Sequence, residues 1–384
     1  MVAMRIARFK SLSLLNIAKL AQGLKDVIYL NVGEPDFDTP RHIVAAAEKA
    51  LKDGHTHYTK EEGIPELREA IAEKESRKIK ADICEEQVLI TPGATGALFA
   101  ACMSLIDPGD EVIIQNPSYP GHVRAVTIAG GKPVSVSLRE DCNFTIDIDE
   151  LNDKITPKTK VMIVSSPSNP TGTVFERKIL KAIAEIAMDN ELFVISDEVY
   201  EKFVYDAEFA SIAEFPGMEH QTILVNSFSK TYAMTGWRVG YAVGPKEIIN
   251  YMKRVLCTST LCVNSIAQYA ALAAIKGPQE CVETMVKEYD RRRKFVLENL
   301  SKIPRIRFVE PKGAFYVFPN IEEFKMSSTK FVQYLIREAR VLLSPGYPLF
   351  GSNGRFHVRL SYAASLDKLK IALERIKNAT KKLK

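Results

Sequence analysis

Between residues 88 and 244, short apolar segments rich in β-branched residues alternate with segments of helical periodicity. Runs such as VMIVS, LFVIS and TILVN have no alternating polar residues, as expected for strands that are buried on both faces. This alternation predicts an α/β fold in which a mostly parallel seven-stranded sheet lies between helices. The predicted strands are Gln87–Thr91, Glu111–Gln115, Pro133–Leu138, Val161–Ser165, Leu192–Asp197, Thr222–Asn226 and Arg238–Val243. Helical patterns lie at Gly96–Leu105, Gly121–Ala129, Lys178–Met188 and Lys246–Arg254.

The pattern changes near residue 285, where a long charged helix, Lys287–Leu300, precedes a mixture of short strands and helices. A chain of 384 residues exceeds the size at which one core usually keeps growing, so we expect two domains. We assign residues 41–284 to a large domain and residues 285–384, together with residues 1–40, to a smaller α+β domain. Its predicted strands are Arg307–Glu310, Ala314–Phe318, Val341–Ser344 and Phe356–Ser361. Its further predicted helices are Thr329–Ala339 and Ser365–Lys381.

Composition excludes several classes of function. The net charge is only +5, and no dense basic tract is interleaved with aromatic residues, so we expect no nucleic-acid partner. No signal peptide or apolar stretch of spanning length is present, which favours a cytoplasmic protein without a membrane partner. The six cysteines include no CxxC pair and the six histidines no HExxH motif, so we expect no metal site.

Polar side chains follow three of the predicted strands. Asn169 comes shortly after one strand, Asp197 and Tyr200 follow the next, and Lys230 follows a third. Ligands of parallel sheets bind outside the carboxyl ends of the strands, so we expect these four residues to meet at one edge.

Lys230 lies in the run SFSKTYAMTGWR, residues 227–238. A desolvated lysine is the nucleophile that Schiff-base chemistry requires, and the side chains of Ser227, Ser229 and Arg238 can bind phosphate. A lysine beside a phosphate site indicates pyridoxal 5′-phosphate. For the tetrapeptide SFSK alone, a solvated lysine in a serine-rich loop is the better interpretation, so the assignment depends on the other residues at this edge.

Asp197 follows an apolar run, where a carboxylate needs a partner. A protonated pyridine nitrogen would supply one, and a helix N-cap is the alternative. Asn169 and Tyr200 can donate hydrogen bonds to the cofactor's 3-oxygen, although a plain turn and a half-packed tyrosine are common uses of these residues.

Other segments add candidates that are weak singly. The segment TPGATG precedes a helix, so the backbone at Ala94 and Thr95 could approach a phosphate. Tyr119 could stack on a cofactor ring or simply pack in the core. Arg359 could bind a substrate carboxylate or be an ordinary strand arginine, and Gly33 permits close backbone approach beside it.

Taken together, these motifs resemble the class I/II (fold-type I) pyridoxal phosphate-dependent aminotransferases of the aspartate aminotransferase superfamily. The resemblance runs from NVGEPDFDTP through HYTKEEGIPELREAI, NPSYPG, SPSNPTG, SDEVY, SFSKTYAMTGWRVG and PKGAFYVFP to HVRLSY. Several motifs in the right order are far more specific than any one of them.

The resemblance implies a role for each candidate. Lys230 would be the catalytic residue and covalent anchor, and Gly33, Asn169 and Arg359 would bind substrate. The cofactor-binding residues would be Ala94, Thr95, Tyr119, Asn169, Asp197, Tyr200, Ser227, Ser229, Lys230 and Arg238, with Tyr58 donated across the interface of a homodimer.

The implied function is transfer of an amino group from an L-amino acid to a 2-oxo acid, most plausibly 2-oxoglutarate. The mechanism would be ping-pong, with the cofactor alternating between its pyridoxal and pyridoxamine forms. Thr95 stands where some close relatives carry a lysine that pairs with a dicarboxylate side chain, which leaves aspartate, alanine and aromatic donors open. A β-elimination C–S lyase on the same fold is the alternative, and a non-catalytic regulator a remote one.

Overall fold

The computed structural model describes residue 6 and residues 19–383. Most of the predicted N-terminal segment up to residue 18, and residue 384, lie outside these described residues. Residues 28 and 29 form the first strand that the structure describes.

A seven-stranded sheet forms the centre of the molecule, as predicted. Its strands are β2 (Val88–Thr91), β3 (Glu111–Asn116), β4 (Lys132–Ser137), β5 (Thr159–Ser165), β6 (Phe193–Asp197), β7 (Thr222–Ser227) and β8 (Gly240–Val243). Their spatial order is β2-β8-β7-β6-β5-β3-β4. Strand β8 is antiparallel to both of its neighbours, and the other pairs are parallel. The sheet is therefore mostly parallel, and its topology places the ends of β5, β6 and β7 side by side.

The prediction that a strand begins at Arg238 is wrong. Arg238 ends a single 3₁₀ turn, Thr235–Trp237, in a left-handed conformation with φ of 53°, and strand β8 begins two residues later. A left-handed residue cannot continue an extended strand, so this arginine turns out of the sheet.

Helices cover both faces of the sheet. In the described part of the chain they are α1 (Arg41–Lys52), α2 (Pro65–Ile79), α3 (Gly93–Leu105), α4 (Pro120–Ala129), α5 (Ile148–Asp153), α6 (Arg177–Asp189), α7 (Phe228–Thr231), α8 (Lys246–Thr260), α9 (Ser265–Lys276), α10 (Glu280–Leu300), α11 (Ser328–Ala339) and α12 (Leu366–Thr380). Successive residues of β5 pack to opposite sides, since Val161 and Ile163 lie in one apolar cluster and Met162 and Val164 in another. Burial on both faces explains why this strand has no polar alternation.

The C-terminal part contains two small sheets. Strand β1 (Ile28–Tyr29) pairs in parallel with β10 (Val341–Leu342), and β12 (Val358–Ser361) lies between β9 (Tyr316–Val317) and β11 (Ser344–Pro345). The predicted strand Val341–Ser344 is thus two strands, because the chain changes its pairing partner at Leu343.

The predicted strand Arg307–Glu310 is also wrong. Arg307 makes only an isolated bridge with Asn320, and no ladder continues from it. Among the described residues, no helix is long and apolar enough to cross a membrane.

Candidate active site

A cavity of about 270 Å³ opens at the carboxyl ends of β5, β6 and β7. Most of the residues that the sequence predicts for the site line this cavity. They are Gly33, Ala94, Thr95, Tyr119, Asn169, Asp197, Tyr200, Ser227, Ser229, Lys230, Arg238 and Arg359. The fold therefore brings together residues that lie more than 300 positions apart in sequence.

Lys230 lies on the short helix α7, directly after β7. Its Nζ donates a hydrogen bond of 2.6 Å to the carbonyl oxygen of Gly33. Burial lowers the pKa of Lys230 to about 8; Glu34 opposes this shift, and Arg359 and Arg238 add to it. A lysine with this pKa is partly neutral near physiological pH, as a nucleophile or a general base must be.

Asp197, the last residue of β6, is paired with a residue that sequence reasoning missed. The Nε2 atom of His122 lies 2.9 Å from the Asp197 Oδ2 atom, and both side chains are buried. His122 comes from the first turn of α4, which starts at Pro120 just after Tyr119. The residues after Asp197 form a turn and not a helix, which removes the N-cap alternative. The motif NPSYPGHV placed His122 one turn from Tyr119, but no chemical pattern singled it out.

Arg359 is 2% exposed and is held on several sides. Its Nη1 donates to Asn169 Oδ1 at 2.7 Å and its Nη2 to the carbonyl oxygen of Asn31 at 2.6 Å. The guanidinium lies between the rings of Tyr316 and Phe350, 4.4 and 4.8 Å from their centroids. A planar cation fixed in this way can present donors to a carboxylate with little loss of rotamer entropy.

Tyr200 and Tyr316 share a hydrogen bond of 2.6 Å between their hydroxyl groups. Burial raises the pKa of both, so both hydroxyls are protonated at neutral pH. A Cβ atom added to Gly33 would lie 1.7 Å from the Tyr316 hydroxyl oxygen, so only glycine permits this approach. Tyr316 belongs to the motif PKGAFYVFP, to which the sequence assigned no chemical role.

A cup for an anion lies at the N-terminus of the 13-residue helix α3. Pro92 provides no side-chain cap there, and Ala94 and Thr95 line the cavity together with Ser227, Ser229 and Arg238. Gly93 has φ of +73°, and a Cβ on it would lie 2.7 Å from Arg238 Nη2. Backbone donors, hydroxyls and a guanidinium around one space form a phosphate site.

Tyr58 is the predicted site residue that does not line the cavity, and it is 83% exposed. Tyr347 and Phe350 do not line the cavity either. Tyr347 is half exposed and Phe350 packs against Arg359. All six cysteines are free.

The residues of the cavity fit pyridoxal phosphate. They include a desolvated lysine, a buried carboxylate, a flanking tyrosine and an anion cup, all within one space. Fold and site together define a pyridoxal phosphate-dependent enzyme of fold type I.

Comparison with known proteins places the chain within that class. Residues 25–376 match the family model of class I and II aminotransferases, so the chain belongs to this family. It is 43% identical over 381 residues to an aspartate aminotransferase of Pyrococcus horikoshii, covering 98% of this chain and 97% of that protein. It is 42% identical over 370 residues to aromatic-amino-acid aminotransferase 2 of Thermococcus litoralis, covering 95% and 94%. A solved structure of Thermus thermophilus aspartate aminotransferase with maleate superposes with a TM-score of 0.94 at 37% identity, covering 99% of each chain.

These findings confirm the expectation of a pyridoxal phosphate-dependent aminotransferase that transfers an amino group. The lyase alternative is not favoured, because the relatives are aminotransferases.

Proposed function

We propose that this aminotransferase takes L-amino acids with aromatic or small neutral side chains as donors and a 2-oxo acid as acceptor. The supporting observation is the set of charges in the cavity. Among its described lining residues, the cations are Lys230, Arg238 and Arg359. Each has a task in the proposed site, so none remains to pair with a second carboxylate on the donor, and Thr95 adds no charge.

The position of each residue in the cavity supports its proposed role. Asp197, supported by His122, would pair with the pyridine nitrogen, and Asn169 and Tyr200 would bind the 3-oxygen. Tyr119 would stack on the ring. The residues that would hold the phosphate are Ala94, Thr95, Ser227, Ser229 and Arg238. Arg359, with Asn169 and Gly33, would bind the substrate carboxylate.

When bound, pyridoxal phosphate withdraws electrons from the substrate Cα and so acidifies its hydrogen. Lys230 Nζ would hold the cofactor covalently, and as a free amine it would take the proton from the substrate Cα as a general base. Arg359 would orient the substrate carboxylate and so position Cα near this amine. The cofactor would carry the amino group between the donor and the 2-oxo acid, which would give ping-pong kinetics.

Aspartate is the second candidate donor. It is supported by the names of relatives such as the Pyrococcus horikoshii aspartate aminotransferase. The aromatic candidate is supported by the Thermococcus litoralis relative and by the apolar and aromatic walls of the cavity, which include Val32, Leu98 and Tyr316.

We also propose a homodimer in which Tyr58 reaches the phosphate of the partner subunit. Helix α9 holds the loop that carries the exposed Tyr58 through two hydrogen bonds. Ser265 Oγ donates to the His55 carbonyl oxygen at 2.6 Å, and Gln268 Nε2 donates to Thr59 Oγ1 at 3.1 Å. An exposed tyrosine on a supported loop is suited to insertion into a neighbouring subunit.

We further propose that residues 41–284 form the large domain and the remaining residues the smaller one. A cytoplasmic location is also proposed.

Single half-reactions test the donor proposal. Holoenzyme is mixed with one amino acid at a time, without an oxo acid, and the cofactor's visible absorbance is followed. Phenylalanine or tyrosine should react at least about tenfold more efficiently than aspartate, a difference of about 1.4 kcal/mol. A preference for aspartate would overturn this proposal in favour of the second candidate.

Thr95→Lys sharpens the test, because a cation at this position can pair with a distal carboxylate. Its efficiency with aspartate should rise relative to phenylalanine. Thr95→Met, of similar length and without charge, controls for bulk and should leave the ratio near that of the natural protein. If both variants change the ratio equally, charge at this position does not select the donor.

A further inference from the structure

We propose that a cluster of buried ions behind the sheet is a positioning element for the cofactor ring. The cluster consists of Lys74, Glu75, Lys78, Glu198 and Glu201, and we call it the buried ion cluster. The proposal rests on the roles proposed above for Asp197 and Tyr200, since these are the residues that it would hold in place.

The buried ion cluster joins helix α2 to the turn after β6. Lys78 Nζ lies 2.5 Å from Glu75 Oε2 and 2.8 Å from both Glu198 Oε2 and Glu201 Oε2. Lys74 Nζ lies 2.5 Å from Glu201 Oε1 and 2.9 Å from Glu75 Oε1. Glu75 is fully buried, and Glu198 and Glu201 are 2% and 7% exposed. Each lysine therefore contacts both sides of the junction.

Neutral groups complete the hydrogen bonds of these carboxylates. Glu198 Oε1 accepts from Ser196 Oγ at 2.9 Å and from Ser211 Oγ at 2.5 Å. Tyr241 OH donates to Glu75 Oε1 at 2.7 Å. Burial raises the pKa of Glu198, whereas Lys74 and Lys78 outweigh burial to hold the pKa of Glu75 and Glu201 below the ordinary value. Buried ions that are paired and hydrogen-bonded on several sides are fixed in position.

Each of the two glutamates is the chain neighbour of a residue that would face the cofactor. The sequence of the turn is Asp197-Glu198-Val199-Tyr200-Glu201, so the cluster holds the positions next to Asp197 and Tyr200. Within the turn, Glu201 N donates to the Glu198 carbonyl oxygen at 2.9 Å, and Glu198 N donates to the Val225 carbonyl oxygen at 3.0 Å. Loss of the ion pairs of either carboxylate would remove a tether from the backbone that carries Asp197 and Tyr200.

The buried ion cluster also reaches the anion cup. The residues that line one void of only about 10 Å³ include Lys74 and Glu201 of the cluster as well as Asn226 and Ser227. Asn226 Oδ1 accepts a hydrogen bond of 2.7 Å from the backbone N–H of Ser227. One rigid cluster thus lies behind both the ring-facing turn and a phosphate-facing residue.

Arg68 provides a matched control on the same helix. It is a buried cation, but its Nε donates to the Val88 carbonyl oxygen and its Nη2 to that of Glu85, both away from the turn. Its removal should destabilise the protein without moving Asp197 or Tyr200.

The test compares Lys78→Met, Glu201→Gln, Lys78→Arg and Arg68→Met. For each, the Kd for pyridoxal phosphate and the induced circular dichroism of the bound cofactor are measured, together with the unfolding midpoint of the cofactor-free protein. Coupled residues of one ionic network commonly change such equilibria by about tenfold. Lys78→Met and Glu201→Gln should raise the Kd by about this factor and alter the dichroism, and Lys78→Arg should restore most of both. Arg68→Met should lower the midpoint and leave the Kd and the dichroism near the natural values.

Unchanged Kd and dichroism in Lys78→Met and Glu201→Gln would overturn the proposal, whatever happens to the midpoint. Glu201→Gln keeps the side-chain volume, so it carries the test if Lys78→Met does not fold. Asp197→Asn separates this proposal from the one on which it rests. If Asp197→Asn leaves the Kd and the dichroism unchanged, the role of Asp197 fails; if only the cluster variants leave them unchanged, the positioning role fails.

Discussion

The amine of Lys230 is hydrogen-bonded to the carbonyl oxygen of Gly33 at 2.6 Å, which links the end of β7 to the N-terminal segment. Gly33 in turn lies against the Tyr316 hydroxyl, which contacts Tyr200. The position of the lysine therefore depends on a chain of close contacts that includes a carboxyl-edge turn and a strand of the C-terminal part. The predictions below test individual links of this chain.

The first prediction concerns the ionisation of Lys230. Because burial lowers its pKa to about 8, competitive acetylation of the cofactor-free protein should show a midpoint near pH 8 for Lys230. The rate is read by mass spectrometry against an added lysine derivative, whose midpoint is about 10.4. A midpoint for Lys230 at or above that of the derivative would refute the desolvation argument.

The same shift makes a prediction for stability. The folded protein releases its Lys230 proton near pH 8, whereas the unfolded chain keeps it up to the ordinary lysine pKa of 10.5. Between these pH values the unfolded state binds more protons, so the free energy of unfolding should rise with pH. This contribution is lost as the pH falls through 8. The difference between the natural protein and Lys230→Met isolates it, and a pH-independent difference would contradict it.

Arg359→Ala should raise KM for both the donor and the oxo acid by at least about tenfold, or about 1.4 kcal/mol each. The reason is that both substrates carry the carboxylate that this arginine is proposed to bind. Arg359→Lys should recover only part of the loss, since lysine cannot form a planar bidentate pair. Steady-state kinetics measure both constants, and an unchanged KM would reassign Arg359 to a structural role.

His122→Leu should weaken the binding of pyridoxal phosphate, because it leaves the buried Asp197 carboxylate without its 2.9 Å partner. His122→Asn can still donate a hydrogen bond, so its Kd for the cofactor should lie between those of the natural protein and His122→Leu. Equilibrium titration with the cofactor gives the Kd of each variant. Equal values for all three proteins would show that His122 does not support Asp197.

Gly33→Ala should lower kcat, since the new methyl group must displace the Tyr316 ring and with it Tyr200. Gly236→Ala is the matched control, because a Cβ atom there meets nothing within 4 Å. Both variants are assayed beside the natural protein. If Gly33→Ala is as active as Gly236→Ala, the contact between Gly33 and Tyr316 is not needed for the site.

The sheet could be predicted because strands buried on both faces have a recognisable sequence pattern, a short apolar run without alternating polar residues. The runs VMIVS, LFVIS and TILVN fall within the observed strands β5, β6 and β7 or extend beyond them by one residue. The short strands were harder to predict, because their boundaries depend on which strands they pair with. Val341–Leu342 pairs with β1 and Ser344–Pro345 with β12, a division that no local pattern predicts.

The residues of the candidate site also differ in how far the sequence could predict them. Lys230, Asp197 and Asn169 follow strands and meet where parallel strands end, so the sequence could place them together. His122 and Tyr316, and the α2 residues of the buried ion cluster, reach their partners through tertiary contacts. Lys74 and Lys78 look like solvated helix residues until helix α2 is packed beside the turn after β6.

Lys230 is the proposed covalent anchor of the cofactor. Borohydride reduction of the holoenzyme would fix the cofactor to its lysine, and mass spectrometry of the digested protein would then locate the added group. We expect one modified site, Lys230, and no incorporation after addition of excess donor amino acid, which would displace the lysine. Modification of a different lysine, or none in a holoenzyme that remains active, would contradict it.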